Sequence, residues 1–135
     1  MKGDRTYQKM WNEAQKAAAR ASVDATPTPM VVEQHANSLD DGSPVVKSWF
    51  VPDGVCGFGW VEVKPRTSKF ARWLKASNIG RSSDYSKAIH LHVPGMSQSL
   101  ARNEAAARAM AKVLIAGLAE IGETETRVYA QSRID

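Results

Sequence analysis

A single cysteine, Cys56, leaves no partner for an intrachain disulfide and too few thiolates for a cysteine-rich zinc site. Long apolar runs are missing too. The longest candidate, 113–118, belongs to a stretch patterned with charges and falls far short of the roughly 18 residues a membrane span needs. The first residues, MKGDRTYQKMWNEAQK, lack the apolar core of a secretory signal. These absences lead us to expect a soluble cytoplasmic protein with no membrane contact. The excess of one charge sign is small, 18 Lys and Arg against 14 Asp and Glu. That favours nucleic acid or an acidic protein surface somewhat as a partner, but serves solubility equally well. A length of 135 residues with 43% hydrophobic content predicts one folded domain, 1–135, in which residues 1–29 form a peripheral or partner-packing helix and linker.

Residues 5–22 repeat Tyr7, Met10, Trp11, Ala14, Ala17, Ala18 and Ala21 at helical spacing, with Asp4 placed to cap the start. This face is expected to pack within the chain, and dimerisation through it is the alternative. Pro27 and Pro29 end the helical pattern, an extended segment follows through Met30, Val31 and Val32, and ANSLDDGSP reads as an exposed loop. VVKSWFV (45–51) and GFGWVEVK (57–64) flank the turn-like PDGVC and predict an antiparallel hairpin. Along the second of these strands Val61 and Val63 face one way, and Trp60, Glu62 and Lys64 the other. Gly57 and Gly59 are in a weak context for a phosphate loop and are read as solving a backbone or packing problem.

A helix is predicted over 68–76, capped by Thr67 or Ser68 and apolar at Phe70, Trp73 and Leu74. After a polar loop over 78–84, AIHLHV alternates Ile89, Leu91 and Val93 with His90 and His92. The longest helix is expected over 99–120, capped by Ser97 or Ser99 and stopped at Gly122. A last strand over 124–131 carries Arg127, Tyr129, Gln131 and Arg133 on one face. The sum is an α+β chain, a two-layer sandwich with a mixed or antiparallel sheet covered by helices.

Between Glu62 and Lys87, only Glu62 and Asp84 oppose a run of cations. Lys64, Arg66, Lys69, Arg72, Lys75 and Arg81 are therefore the candidate nucleic-acid-binding residues, with Trp60, Trp73 and Tyr85 as aromatic contacts if they are exposed. The alternative is that the aromatics hold the helix on the sheet while the cations are solvated. His90 and His92 project in one direction but supply only two ligands, so no metal or other cofactor is expected. Catalysis would need Cys56 or one of these histidines to be activated in space. Burial of Cys56 as a small apolar residue and hydrogen bonding by the histidines are the simpler accounts.

CGFGW, KFARWLK, Gln98 and Ser99 before the long helix, and the terminal SRID resemble a group of small uncharacterised proteins encoded by tailed bacteriophages, over roughly the last eighty residues. The resemblance implies a non-enzymatic accessory or interaction protein working inside an infected bacterial cell on an unknown phage or host protein, and carries over no site residue. The long Ala-rich helix also resembles the final helix of double-stranded-RNA-binding domains. That similarity implies phosphate contacts by Arg102, Arg108 and Lys112, interrupted by Glu104. Nucleic-acid binding, to DNA or RNA, is the alternative function, and homodimerisation through the first helix or a sheet edge is open.

Overall fold

The computed structural model describes residues 2–37, 39–95 and 97–135, so Ser38 of the expected loop lies outside the described residues. α1 (Lys2–Asp24) leads into an antiparallel ribbon of β1 (Met30–His35) and β2 (Val45–Val51). The chain continues as β3 (Gly57–Lys64), α2 (Lys69–Ala76), β4 (Arg81–Ser83), β5 (Ala88–His92), α3 (Leu100–Glu120) and β6 (Arg127–Ile134). The last four strands form an antiparallel sheet in the order β4-β5-β3-β6. The fold is α+β, as the patterning predicts. From β3 onward the connectivity is β-α-β-β-α-β, the split βαβ arrangement, because β5 lies between β3 and β4.

Strand alternation decides which side of this sheet the helices cover. Val61, Val63, Ile89, Leu91 and Val128 are buried against Phe70, Ala71 and Leu74 of α2 and Ala107, Met110, Leu114 and Leu118 of α3. Ser68 caps α2 by accepting from the Ala71 N–H at 3.2 Å, and Ser99 caps α3 by accepting from the Arg102 N–H at 3.3 Å. α1 begins earlier than expected, with Asp4 inside its first turn, where a negative charge suits the helix dipole. It lies along α3 rather than on the sheet, burying Tyr7, Met10, Trp11, Ala14 and Ala18. Met10 sits over Gly117, where a Cβ would collide with the thioether chain.

Two glycines in β3 bring α3 onto the strand's backbone. A Cβ at Gly57 would stand 2.6 Å from Leu100 Cδ1, and one at Gly59 would stand 2.7 Å from the Asn103 carbonyl carbon. Asn103, 8% exposed, uses this proximity to donate both amide hydrogens, to the Gly57 carbonyl at 2.8 Å and the Ser97 carbonyl at 3.1 Å. The spacing reads as helix-to-strand packing, in keeping with the expectation from sequence.

β2 does not pair with β3. Both edges of β3 are taken, by β5 and β6, and the 52–56 link is diverted onto the start of α3. There the Leu100 N–H donates to the Val55 carbonyl, the Ser99 hydroxyl donates to the Asp53 carbonyl, and Arg102 reaches the Asp53 carboxylate at 3.1 Å. β2 returns instead to β1. A second difference is β4, a three-residue edge strand inside the stretch expected to be loop. Arg66 holds it by donating to Ser82 Oγ and to Asp84.

The α3–β6 loop completes the helix side. Glu123 accepts from the Phe70 N–H at 3.2 Å, from the Tyr7 hydroxyl and from the Thr126 hydroxyl, and Glu125 accepts from the Lys69 N–H at 3.3 Å. The free amides at the α2 N-terminus thus meet carboxylates of their own chain. Burial first, then the bond to Glu123 and the neighbouring carboxylate charges, push the Tyr7 hydroxyl well above the ordinary tyrosine range, with Arg72 opposing them.

Removing the Asn103 amide strands two carbonyls at the helix–strand contact. Asn103→Ala is therefore expected to lower unfolding free energy by about 1–3 kcal/mol, read from urea denaturation midpoints. A separate expectation concerns high pH. An unfolded tyrosine ionises near about pH 10, whereas folded Tyr7 keeps its proton beyond that. The stabilisation is fully present below the unfolded value and is lost as pH rises above it. Tyr7→Phe should flatten the alkaline decline in stability relative to the parent chain in paired denaturation series, and superimposable declines would exclude this role.

Candidate nucleic-acid interface

The sheet face away from α2 and α3 collects side chains from all four strands. On β3 it presents Phe58, Trp60, Glu62 and Lys64. Register places Arg133 opposite Phe58, Gln131 and His92 opposite Trp60, Tyr129 and His90 opposite Glu62, and Arg127 opposite Lys64. Arg81 stands opposite His90 on the β4 edge. Phe58 is 47% exposed and Tyr129 is 40% exposed, while Arg81, Arg127, Arg133 and His92 are also exposed.

Glu62 is the one carboxylate in this set, and it is largely buried by its neighbours. It accepts from Trp60 Nε1 at 3.2 Å, lies 3.2 Å from His90 Nε2 and 3.9 Å from Lys64 Nζ. Its charge is therefore balanced locally, and its bond to the indole fixes the orientation of the Trp60 ring. Cations accompany the other rings, with Arg133 over Phe58 at 5.5 Å and Lys64 over Tyr129 at 5.9 Å. Lys64 and Arg127 stand directly across from one another, and the Glu62 carboxylate beside Lys64 offsets part of that like-charge contact. Among the described residues Arg81, Arg127 and Arg133 form no ion pair with a carboxylate.

The six cations picked out by sequence divide between locations. Lys64 and Arg81 belong to the open face. Arg66 is engaged by Asp84 at 2.7 Å. Lys69, Arg72 and Lys75 lie on exposed positions of α2, on the helix side of the sheet, where Lys69 and Arg72 line a groove of about 670 Å³ with Asp4 and Tyr7. The aromatic candidates divide likewise. Trp60 is on the open face, and Tyr85 is fully exposed in the β4–β5 turn. Trp73 packs against Tyr7 and Phe70, with ring centroids 5.6 and 6.1 Å away.

The open-face residues not singled out beforehand are Phe58, Arg127, Tyr129 and Arg133. Alternation of basic and aromatic residues along 127–133 was the available signal, but local sequence does not say that β6 lies beside β3.

The catalytic alternatives lack convergence. Ser86 Oγ lies 2.7 Å from His90 Nε2, the same nitrogen that faces Glu62, whereas a hydroxyl–imidazole–carboxylate relay uses both ring nitrogens. Cys56 is exposed, contrary to the expected burial, although its backbone bridges to the buried Ser99. It is four residues along β3 from the Trp60–His92 pair, about 13 Å at strand rise. Among the described residues no group of three or more His, Cys, Asp or Glu is placed to hold a metal ion, and His35 lies on the separate ribbon. On α3, Arg102 is engaged by Asp53 and by the Ser22 and Val23 carbonyls, and the exposed Arg108 pairs with Glu104 one turn away. Among the described residues no helix is long and apolar enough to cross a membrane.

Comparison with protein-family models, with curated proteins and with solved structures gives no significant match.

Proposed function

We propose that this chain binds single-stranded nucleic acid on the open face of its four-stranded sheet, without catalysing a reaction. The observation that carries this is the gathering of exposed Phe58 and Tyr129 and half-buried Trp60 beside Lys64, Arg127 and Arg133 on two hydrogen-bonded strands. Single strands offer unstacked bases to aromatic rings and phosphates to flanking cations, and a sheet face supplies both at regular spacing. A duplex hides its base faces and meets only the charges. The α2 cations are placed on the other side of the sheet, so a strand lying across Trp60 and Tyr129 leaves them free.

A non-enzymatic accessory role toward a phage or host protein, within an infected bacterial cell, is the second function we propose. Its support is the exposed apolar ribbon β1–β2, which the nucleic-acid role leaves unused.

Equilibrium anisotropy titrations with labelled single-stranded and duplex DNA and RNA, over a range of salt, test the first proposal. Binding should favour single strands, and four open-face cations give a slope of log affinity against log salt no steeper than about −3. Trp60→Ala or Tyr129→Ala should weaken it roughly 5- to 150-fold. Arg133→Ala should reduce the salt slope by about 0.7. Triple reversal of Lys69, Arg72 and Lys75 to Glu should have the smaller effect. If the triple variant abolishes binding while the face variants retain it, the site moves to α2; no salt-dependent binding to any polymer rejects the function.

A further inference from the structure

We infer that two copies of this chain join edge to edge along β6, about a twofold axis that passes through Gln131 perpendicular to the sheet. β6 keeps unbroken register with β3 over eight residues, and among the described residues no strand lies on its other side. The opposite edge of the sheet is blunted by the shortness of β4, whereas β6 has neither a bulge nor a proline. The Asp135 N–H donates to the Cys56 carbonyl at 3.1 Å, which sets the phase of the ladder. Arg127, Tyr129, Gln131 and Arg133 therefore turn their main-chain groups toward β3, and Val128, Ala130, Ser132 and Ile134 turn theirs outward. An apolar groove of about 440 Å³ runs between α3 and β6, walled by Ala111, Ile115, Ala116, Val128 and Ala130. Ile115 is 51% exposed and Ile134 65%.

An edge that alternates N–H donors with carbonyl acceptors is matched by another strand, whereas phosphates only accept. The side chains of β6 select a second copy of the same strand. Pairing about Gln131 sets Arg127 across from Asp135, Val128 from Ile134, Tyr129 from Arg133 and Ala130 from Ser132 of the other chain. These are opposite charges, two apolar groups, a ring beside a cation and two small residues, while the amide at the axis meets its own copy as donor and acceptor. The outward main-chain groups of Val128, Ala130, Ser132 and Ile134 also meet one another in this register. An axis at Ala130 opposes Arg127 to Arg133, and one at Tyr129 carries Ser132, Arg133 and Ile134 past the start of the partner strand. An axis between residues opposes outward groups to inward ones. On the helix side, the pairing brings each Ile134 to the other copy's Val128, at the groove beside Ile115. Because α3 packs on β3 and β6 alike, the two α3 helices then run about 10 Å apart, the spacing of packed helices. Glu104 accepts from Ser132 and Arg108 lies by Ala130, so the Ala130–Ser132 pairs also bring each Arg108 toward the other copy's Glu104. Such self-complementarity is what an interface on a twofold axis requires.

Sedimentation velocity of the intact chain is expected to show a dimer. Ala130→Pro removes an outward N–H and leaves the ladder to β3 intact, so it should give a monomer that still unfolds cooperatively. Ile134→Lys, at an exposed position, should do the same without touching the main chain. A covalent test needs neither change. With Cys56→Ser, the substitution Gln131→Cys leaves one thiol per chain, and the two opposed Cα atoms stand about 4.5 Å apart, within disulfide reach. Mild oxidation should give a rapid covalent dimer. The parent chain's own Cys56 is the control, since its two copies would lie about 30 Å apart across the axis. A monomeric parent chain would overturn the inference and leave the β6 edge to a strand of another protein. A dimer that survives both Ala130→Pro and Ile134→Lys, or in which position 131 cross-links no faster than Cys56, would overturn it as well.

Discussion

The close approach of α3 to the backbone of β3 sets the position of almost everything else. Gly57 and Gly59 remove the side chains that would hold the helix away, and Asn103 turns the resulting contact into two buried hydrogen bonds. Once α3 occupies that side, its buried row meets Val61 and Val128, and β6 comes down beside β3. The strand's remaining positions must then face away from the helices. Phe58, Trp60, Glu62 and Lys64 share one surface because of the same alternation that buries Val61 and Val63. A packing contact on one side of the sheet thereby assembles the candidate interface on the other.

Local patterning and long-range pairing differ in how much the sequence reveals. The facing of residues within β3 and β5 was legible from period-two alternation, as were the helix caps at Ser68 and Ser99 from hydroxyls placed before apolar helical runs. The partner of β2 was not. PDGVC has the composition of a turn, but its conformation is decided by the Asp53 and Val55 carbonyls bonding to the start of α3, more than 40 residues on. Exposure of Cys56 follows from the same diversion. β4 was obscured because three residues are too few to show a period, and its place depends on Arg66 reaching back to Ser82 and Asp84.

The candidate site shows the same division. A linear count of cations between Glu62 and Lys87 groups Lys64 with Lys69, Arg72 and Lys75, although folding puts them on different sides of the sheet. Charge density along a chain becomes charge density on a surface only when neighbouring elements face the same way. The residues that do gather around Trp60 come from positions 58–64, 81, 90–92 and 127–133, joined by strand pairing rather than by sequence distance. Glu62 at their centre would weaken an anion-binding surface if its charge were free. Indole, imidazole and ammonium groups around it leave the outer cations to dominate.

Charge is also segregated between the two sheets. With a formal −2 on residues 30–51, the rest of the chain carries +6 of the total of +4. The ribbon is apolar and slightly acidic while the body is basic, so the electrostatic fields around the two differ in sign.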